Sequence, residues 1–262
     1  MDVNLNQLHL LAREAVRKAG ILVLEKQFSP SISLKAENNL VTEADLAAQD
    51  LIIELIKGRF PEHSIIAEED DLEAKNNDPH LWIIDPLDGT NNFAHAIPHF
   101  SISLAYARSG QVQVGVIYDP SRDEMFSASL AGGAYLNDSS IKVSRVPSLN
   151  EAIVATGFYY DRGEIMRNTL SSIEKLFEAN VHGVRRFGSA ALDLCWVACG
   201  RFDAYFEYKL SIWDFAAGML IVKEAGGECS DHFGNQLILD SAGIAVSNGR
   251  LHKELLDIVA YR

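Results

Sequence analysis

Two aspartates that follow an apolar segment are the residues with the clearest chemical potential. Asp85 and Asp88 come directly after the apolar run 81–84, and Pro86 restricts the backbone between them. Mg²⁺ prefers oxygen ligands, so the two carboxylates and the carbonyl oxygen of Leu87 could bind one ion. A β-turn with two solvated aspartates is the ordinary alternative for an Asp-Gly pair. The strongly apolar segment that delivers both acids favours the metal site.

The residues after these acids predict a site for an anion. Gly89 and Thr90 would begin a short helix, and the free backbone N–H groups at a helix start suit a phosphate oxygen. An anion site beside two potential metal ligands strengthens the metal-site interpretation of the segment.

Glu68 is a third candidate ligand, at the end of the apolar segment 64–67. It begins a run of four acids, and such a run is more often a solvated loop. If segment 64–67 is the neighbour of 81–84 in a sheet, however, Glu68 and Asp85 come within reach of the same ion.

Two further acids lie near predicted helix starts. Asp214 opens a helical segment, where an N-cap is the ordinary role, although an N-cap can also bind a metal. Asp45 follows Thr42 at the spacing of a capping box, in which the acid bonds back to the cap residue. Neither position alone indicates a catalytic site.

Other chemistries lack support in the sequence. Glycine-rich nucleotide motifs, a Gly-x-Ser-x-Gly elbow and a His-Glu-x-x-His helix are absent, and the eight histidines have no ligand spacing. Cys195, Cys199 and Cys229 lack zinc spacing, and we interpret them as reduced core residues. Oxygen ligands without imidazole or thiolate favour Mg²⁺, with Mn²⁺ as the alternative.

The pattern of apolar residues predicts an α/β fold. Two amphipathic helices come first, then a series of strands, then alternating helices and strands, which is typical of layered packing. We expect one unit over 1–262, with subdomains 1–147 (α+β) and 148–262 (α/β). The predicted helices are 4–26, 42–58, 164–178, 189–199, 214–225 and 249–260, and the predicted strands are 64–67, 81–84, 100–107, 112–118, 124–129, 152–155, 182–187, 203–207 and 243–247.

Charge and hydropathy limit the possible partners. The formal net charge is −13 and no cluster of Lys and Arg interrupts the acidity, which argues against nucleic acid and against an anionic membrane as partners. The N-terminal segment carries charged residues among its apolar ones, unlike a signal peptide, and no apolar run reaches the roughly 18 residues of a spanning helix. We therefore expect a cytoplasmic protein.

Several separated motifs stand out along the chain. They are VTEAD at 41–45, IAEE at 66–69, DPLDGT at 85–90, FGSAALD at 187–193, WDFAAG at 213–218 and EAGG at 224–227. In order and spacing they resemble the inositol monophosphatase family, with the closest similarity to its bacterial, SuhB-like branch. The similarity covers nearly the whole chain.

The resemblance implies a fold, a cofactor and a set of roles. The fold would be a layered αβαβα sandwich, commonly dimeric, with two to three Mg²⁺ ions and inhibition by lithium. The implied metal ligands are Glu68, Asp85, the Leu87 carbonyl, Asp88 and Asp214. The implied catalytic residues are Asp45 and Thr90, which orient and deprotonate the attacking water, together with Glu68. The implied substrate contacts are Asp88, Gly89, Thr90, Ala190, Glu207 and Asp214.

The function that follows from the resemblance is Mg²⁺-dependent hydrolysis of a small phosphomonoester, with inositol monophosphate as the expected substrate. Where several members of the family carry a Gly-Ser pair this chain has Gly157 and Phe158, and Lys209 could favour a second phosphate. The alternatives are therefore fructose 1,6-bisphosphate, a nucleotide 3′-phosphate or histidinol phosphate with the same chemistry. A regulatory role linked to RNA or transcription is a further alternative, and a homodimer is expected.

Overall fold

The computed structural model describes residues 4–27, 32–36, 39–70, 74–160 and 162–260, with the backbone alone for 32–36 and 39–41. Its helices are α1 (Leu5–Lys26), α2 (Glu43–Arg59), α3 (Thr90–Ala94), α4 (Glu164–Glu178), α5 (Ala190–Ala198), α6 (Ile212–Glu224) and α7 (His252–Val259), with a 3₁₀ turn at Leu149–Glu151. Its strands are β1 (Ile32–Ala36), β2 (Asn39–Thr42), β3 (Ser64–Ala67), β4 (Leu81–Asp88), β5 (Ser101–Arg108), β6 (Gln111–Asp119), β7 (Glu124–Ser129), β8 (Gly133–Leu136), β9 (Ser139–Ser140), β10 (Ile153–Thr156), β11 (Gly183–Arg185), β12 (Ala204–Glu207), β13 (Glu228–Ser230) and β14 (Ile244–Ser247).

A seven-stranded sheet forms the first half of the molecule. Its strand order is β3-β4-β5-β6-β7-β8-β9, with β3 and β4 parallel and all later pairs antiparallel. Successive side chains of β4 point to opposite faces. Trp82 and Ile84 therefore pack on α1 and α2, whereas Leu81 and Ile83 pack on α5 and α6. Both faces of this sheet are thus covered by helices.

A five-stranded sheet forms the second half, in the order β11-β10-β12-β14-β13. One of its faces packs on α5 and α6 through residues such as Tyr205 and Val246. Its other face, with Val154 and Phe206, packs on α4 and α7. The layers are therefore helices, sheet, helices, sheet, helices, and the predicted αβαβα sandwich is confirmed.

The predicted helices and the longer strands are present with small shifts at their ends. Strand β4 continues past the predicted end at 84 to Asp88, because a bulge between Asp85 and Asp88 lets it keep pairing with β5 around Pro86, which has no N–H to donate. The β1–β2 hairpin and the short strands β8, β9 and β13 were not predicted. The division near residue 147 stays a prediction, although the first sheet ends at Ser140 and the second begins at Ile153.

In the part of the chain that the structure describes, no helix combines the length and the apolarity needed to cross a bilayer.

Candidate active site

One pocket of about 370 Å³ collects almost all the predicted site residues. It opens where β3 and β4 end and where α3, α5 and α6 begin. Asp45 does not line it but lies directly behind Thr90. The predicted residues that line it are Glu68, Asp85, Leu87, Asp88, Gly89, Thr90, Ala190, Glu207 and Asp214.

The parallel pairing of β3 with β4 brings Glu68 beside Asp85. Ala67 is the register partner of Ile84, so the next residue of each strand leaves the sheet at the same level. The backbone N–H of Glu68 donates to the carbonyl oxygen of Ile84 at 3.2 Å, which extends the pairing by one residue. The condition under which Glu68 and Asp85 come within reach of one ion, that these two strands are neighbours, is therefore met.

Asp88 joins the two halves of the molecule. Its Oδ2 accepts hydrogen bonds from the Ser189 hydroxyl at 2.5 Å and from the Ala191 N–H at 2.8 Å, and its Oδ1 accepts from the Ala190 N–H at 3.3 Å. These donors belong to the first turn of α5, where backbone N–H groups have no partner within the helix. Burial nevertheless raises the pKa of Asp88 to about 6, because desolvation outweighs the three donors.

Asp45 serves both as part of a helix cap and as the partner of Thr90. Its Oδ2 accepts from the Thr42 N–H at 2.8 Å and from the Thr42 hydroxyl at 2.5 Å, which confirms the capping box. Its Oδ1 lies 3.0 Å from the Thr90 hydroxyl, which is also 3.0 Å from the Leu87 carbonyl oxygen. Burial raises the pKa of Asp45 above its ordinary value, so its carboxylate is a stronger base than a solvated aspartate.

Asp214 is the third residue of α6, and the interpretation of this residue as the N-cap is wrong. The helix begins at Ile212 with Ser211 as its cap, and the Ser211 N–H donates to Asp214 Oδ2 at 2.6 Å. An acid at the third helical position bonds back to the cap residue in this way. Asp214 thereby reaches the same pocket as Asp85 and Asp88.

The pocket carries a strong excess of negative charge. Burial first, and then repulsion from neighbouring acids, raise the pKa of Asp85 and of Asp214 well above the ordinary value. Among the described residues that line the pocket, Arg186 is the only cationic side chain. Carboxylates enclosed together therefore lack the positive charge that would stabilise their ionised forms.

The donors of this pocket fit a hard divalent cation. Glu68, Asp85, Asp88 and Asp214 offer carboxylate oxygens and Leu87 offers a carbonyl, the ligand types that Mg²⁺ and Mn²⁺ prefer. As the side chains stand, no three acidic, histidine or cysteine groups within the described ranges are close enough together to hold one ion. The donor chemistry and the charge imbalance, rather than a preformed coordination shell, thus indicate a cation site.

Glu207 lies in a tightly packed part of the same pocket. The Tyr205 hydroxyl donates to its Oε2 at 2.5 Å, and burial raises its pKa to about 7. A Cβ atom at residue 157 would lie 1.9 Å from that oxygen, so any larger residue there would displace the Glu207 carboxyl. Gly157 therefore leaves the space that the Glu207 carboxyl occupies.

Several pocket residues were not singled out from the sequence, among them Ser189, Arg186 and Asp193. Ser189 bonds Asp88, Arg186 supplies the cationic charge, and Asp193 is a buried carboxyl of α5. Ser189 and Asp193 both occur in the FGSAALD motif, and the position of Ser189 before a helical segment is a possible signal. Arg186 carried no signal beyond its charge.

Comparisons with known proteins agree with this geometry. The model of the inositol monophosphatase family matches residues 4–260. The chain belongs to this family. It is 41% identical over 257 residues to the Nus factor SuhB of Pasteurella multocida (97% of this chain, 96% of the relative) and 42% identical over 252 residues to the inositol-1-monophosphatase of Synechocystis (95% and 88%). The inositol monophosphatase structure from Anabaena (Nostoc) aligns with a TM-score of 0.88 and 38% identity, covering 98% of this chain and 96% of that one.

The inositol monophosphatase family is a family of phosphatases, and its proteins are generally metal-dependent. The predicted family and its SuhB-like branch are confirmed. The roles of the individual site residues stay predictions.

The first prediction concerns stability without metal. The folded protein keeps protons on Asp85, Asp88 and Asp214 that the unfolded chain releases above about pH 4. The free energy of unfolding in EDTA should therefore fall as the pH rises, including through about 6, where Asp88 ionises. Mg²⁺ should raise the melting temperature more at about pH 8 than at about pH 5.5, because it binds the ionised forms.

Thermal melts at both pH values, with EDTA or with MgCl₂, test this expectation. Asp85→Asn is the matched variant, since it removes one charge without a change of shape, and it should weaken the pH dependence in EDTA. Equal Mg²⁺ effects at both pH values would contradict the prediction.

Proposed function

We propose that the protein is a Mg²⁺-dependent phosphatase that hydrolyses a small sugar-like phosphomonoester, with inositol monophosphate as the first candidate. The observation that carries the proposal is the convergence of Glu68, Asp85, Asp88 and Asp214 on one pocket with a single cationic side chain among its described lining residues. Membership of the inositol monophosphatase family supports it, as does the name of the Synechocystis relative. Inhibition by lithium, two to three bound ions, a homodimer and a cytoplasmic location are parts of the same proposal.

The charge of the substrate explains why such a pocket suits this reaction. A phosphomonoester dianion repels an attacking hydroxide, and its uncatalysed hydrolysis is extremely slow. When bound, divalent cations neutralise the phosphate charge and lower the pKa of water. The residues that would hold them are Glu68, Asp85, Leu87 through its carbonyl, Asp88 and Asp214.

Thr90 and Asp45 would handle the proton of the attacking water. The Thr90 hydroxyl, 3.0 Å from Asp45 Oδ1, can accept a hydrogen bond from water while it donates to the carboxylate. The bonds from Thr42 hold Asp45 in place, and burial makes its carboxylate more basic. The pair therefore forms a positioned general base behind the pocket wall.

The remaining predicted contacts concern the substrate. The backbone of Gly89 and Thr90 would bind phosphate oxygens, and Gly89 has the positive φ of +95° that favours glycine at this turn. Ala190, Glu207 and Asp214 would contact the hydroxyls of the leaving alcohol. All five residues line the pocket.

The second prediction is the direct test of this function. Purified protein should release phosphate from inositol 1-phosphate with Mg²⁺, and EDTA or millimolar lithium should abolish the release. Asp88→Asn should lower kcat/KM by about 10²-fold or more, since it removes a charge from the proposed ion site while its shape can keep the first turn of α5 in place.

Phosphate release that continues unchanged in EDTA would contradict the proposal. A panel with fructose 1,6-bisphosphate, a nucleotide 3′-phosphate and histidinol phosphate ranks the alternative substrates by kcat/KM. Two observations motivate the panel: Phe158 lines the pocket, and the Lys209 ammonium lies 4.4 Å above the ring of Tyr159, which also lines it.

The third prediction separates the proton relay from metal binding. Thr90→Val removes the hydroxyl but keeps the shape, so kcat should fall by about 10²-fold or more. Thr90→Ser keeps the hydroxyl and should retain most of the activity. Both variants should show the Mg²⁺-dependent rise in melting temperature of the wild type, because neither loses a carboxylate.

Similar kcat values for the Val and Ser variants would show that the hydroxyl takes no part in the reaction. A lost Mg²⁺ effect in the Val variant alone would instead assign Thr90 to the ion site.

A regulatory role linked to RNA or transcription is the second candidate function, and one observation favours it. The Pasteurella relative carries the name Nus factor SuhB at 41% identity over nearly the full length of both chains. The net charge of −13 argues against direct contact with RNA, so a protein partner fits this role better. Such a role is compatible with phosphatase activity.

The fourth prediction tests this candidate with purified components. If the role applies, immobilised protein should bind bacterial RNA polymerase but not single-stranded RNA, and Asp88→Asn should bind equally because binding needs no catalysis. Absence of binding by both the wild type and the variant would remove support for the regulatory role and would leave the phosphatase proposal untouched.

A further inference from the structure

A second carboxyl lies near Glu207 in the pocket and has no role in the proposed reaction. Asp193 is the fourth residue of α5, is 1% exposed and lines the pocket. Its Oδ1 is closed to solvent and has no hydrogen-bond partner among the described residues. A buried carboxyl oxygen without a partner is unfavourable, so its presence calls for an explanation.

The helix itself does not explain Asp193. The cap of α5 is Ser189, whose hydroxyl accepts from the Leu192 N–H at 3.3 Å and donates to Asp88. The backbone N–H of Asp193 already bonds the Ser189 carbonyl oxygen at 3.0 Å. The Asp193 carboxyl therefore neither caps the helix nor holds Asp88.

The surroundings of Asp193 are rich in acceptors and poor in donors. Burial and then the charges of Asp88 and Glu207 disfavour its ionised form, and Arg186 is the cation that opposes them. Glu207 has one oxygen bonded to the Tyr205 hydroxyl, and its carboxyl fills the space left by Gly157. A ligand that brings two or more hydrogen-bond donors would complement the side of the pocket that Asp193 and Glu207 line.

We propose that Asp193 determines specificity for the leaving group: with Glu207 it accepts hydrogen bonds from neighbouring hydroxyls of the alcohol. Asp193 lines the pocket, so its carboxyl lies within reach of such a hydroxyl. The inference rests on the proposed phosphatase function and adds Asp193 to the residues that select the leaving group. A phosphate of a simple alcohol leaves both carboxyls without donors, and such unpaired groups discriminate strongly.

The fifth prediction compares two substrates that share one ring. Inositol 1-phosphate carries hydroxyls next to the ester, and cyclohexyl phosphate carries none. In the wild-type protein with Mg²⁺, kcat/KM should favour inositol 1-phosphate by about 10²-fold or more. Asp193→Leu keeps the branching at Cγ and removes both acceptors, so the ratio of the two kcat/KM values should fall at least about tenfold, chiefly through KM for inositol 1-phosphate.

Two further variants make the comparison specific. Asp193→Asn keeps one acceptor oxygen and should give an intermediate ratio. Asp119 is also buried but lies outside the pocket, where its Oδ2 bonds Arg122 at 2.6 Å, and Asp119→Asn should leave the ratio at the wild-type value. Melting temperatures with and without Mg²⁺ show that each variant folds and binds the ion.

Several outcomes would overturn the inference. An unchanged ratio with only a shifted melting temperature would make Asp193 a structural carboxyl, and an equal fall for both substrates would show that it acts on the reaction centre. A wild-type preference for histidinol phosphate that disappears in Asp193→Leu would mean that the carboxyls bind an ammonium group.

A wild-type protein that hydrolyses both ring phosphates equally would also overturn the inference, while the phosphatase function would stand. No phosphate release from any substrate with Mg²⁺ would instead overturn the function itself.

Discussion

Repulsion among enclosed carboxylates is the constraint on which the rest of this structure depends. Asp85 and Asp88 lie at the end of β4 and Asp214 lies at the start of α6. Burial first, and then the charges of neighbouring acids, Asp88 among them, raise the pKa of Asp85 and of Asp214. The fold holds them together through backbone N–H donors: Leu87 bonds Asp85, the first turn of α5 bonds Asp88, and Ser211 bonds Asp214. Each acid is thus fixed by one or more donors, but the site as a whole still lacks positive charge, which a divalent cation would supply.

Two acids of the site use the same local device. Asp45 and Asp214 are both the third residue of a helix, and in each the Oδ2 atom accepts a hydrogen bond from the backbone N–H of the cap residue. A carboxylate held in this way keeps its other oxygen available. In Asp45 that oxygen meets Thr90, and in Asp214 the side chain lines the pocket. The capping role and the proposed chemical role therefore support each other, because the cap removes the rotational freedom of the side chain.

The sequence predicts the parts of this site that neighbouring residues determine better than the contacts between distant segments. The apolar segments before Glu68 and Asp85 indicated two strands, and the register of β3 with β4 shows that these strands are neighbours. The N-cap role for Asp214 was wrong because the cap is Ser211, three residues earlier. Asp193 was not singled out because its helix is apolar on almost every side, so its sequence pattern does not show which face meets the pocket. The motifs of the family, not the periodicity, predicted that acids so far apart in the chain converge.

The chain separates the proposed reaction from the proposed selectivity. The residues assigned to the phosphate and to the attacking water, such as Asp45, Asp85 and Thr90, belong to the first half. Gly157, Asp193 and Glu207, which would surround the leaving group, belong to the second. Asp88 links the two halves through its bonds to α5. The position of the proposed phosphate site and that of the residues proposed to contact the leaving group therefore both depend on the Asp88 carboxylate. Changes in the second half that leave the first turn of α5 in place could therefore alter which alcohol fits without disturbing the acids of β4. This arrangement explains in physical terms why resemblance to a family predicts the chemistry of the pocket better than its substrate.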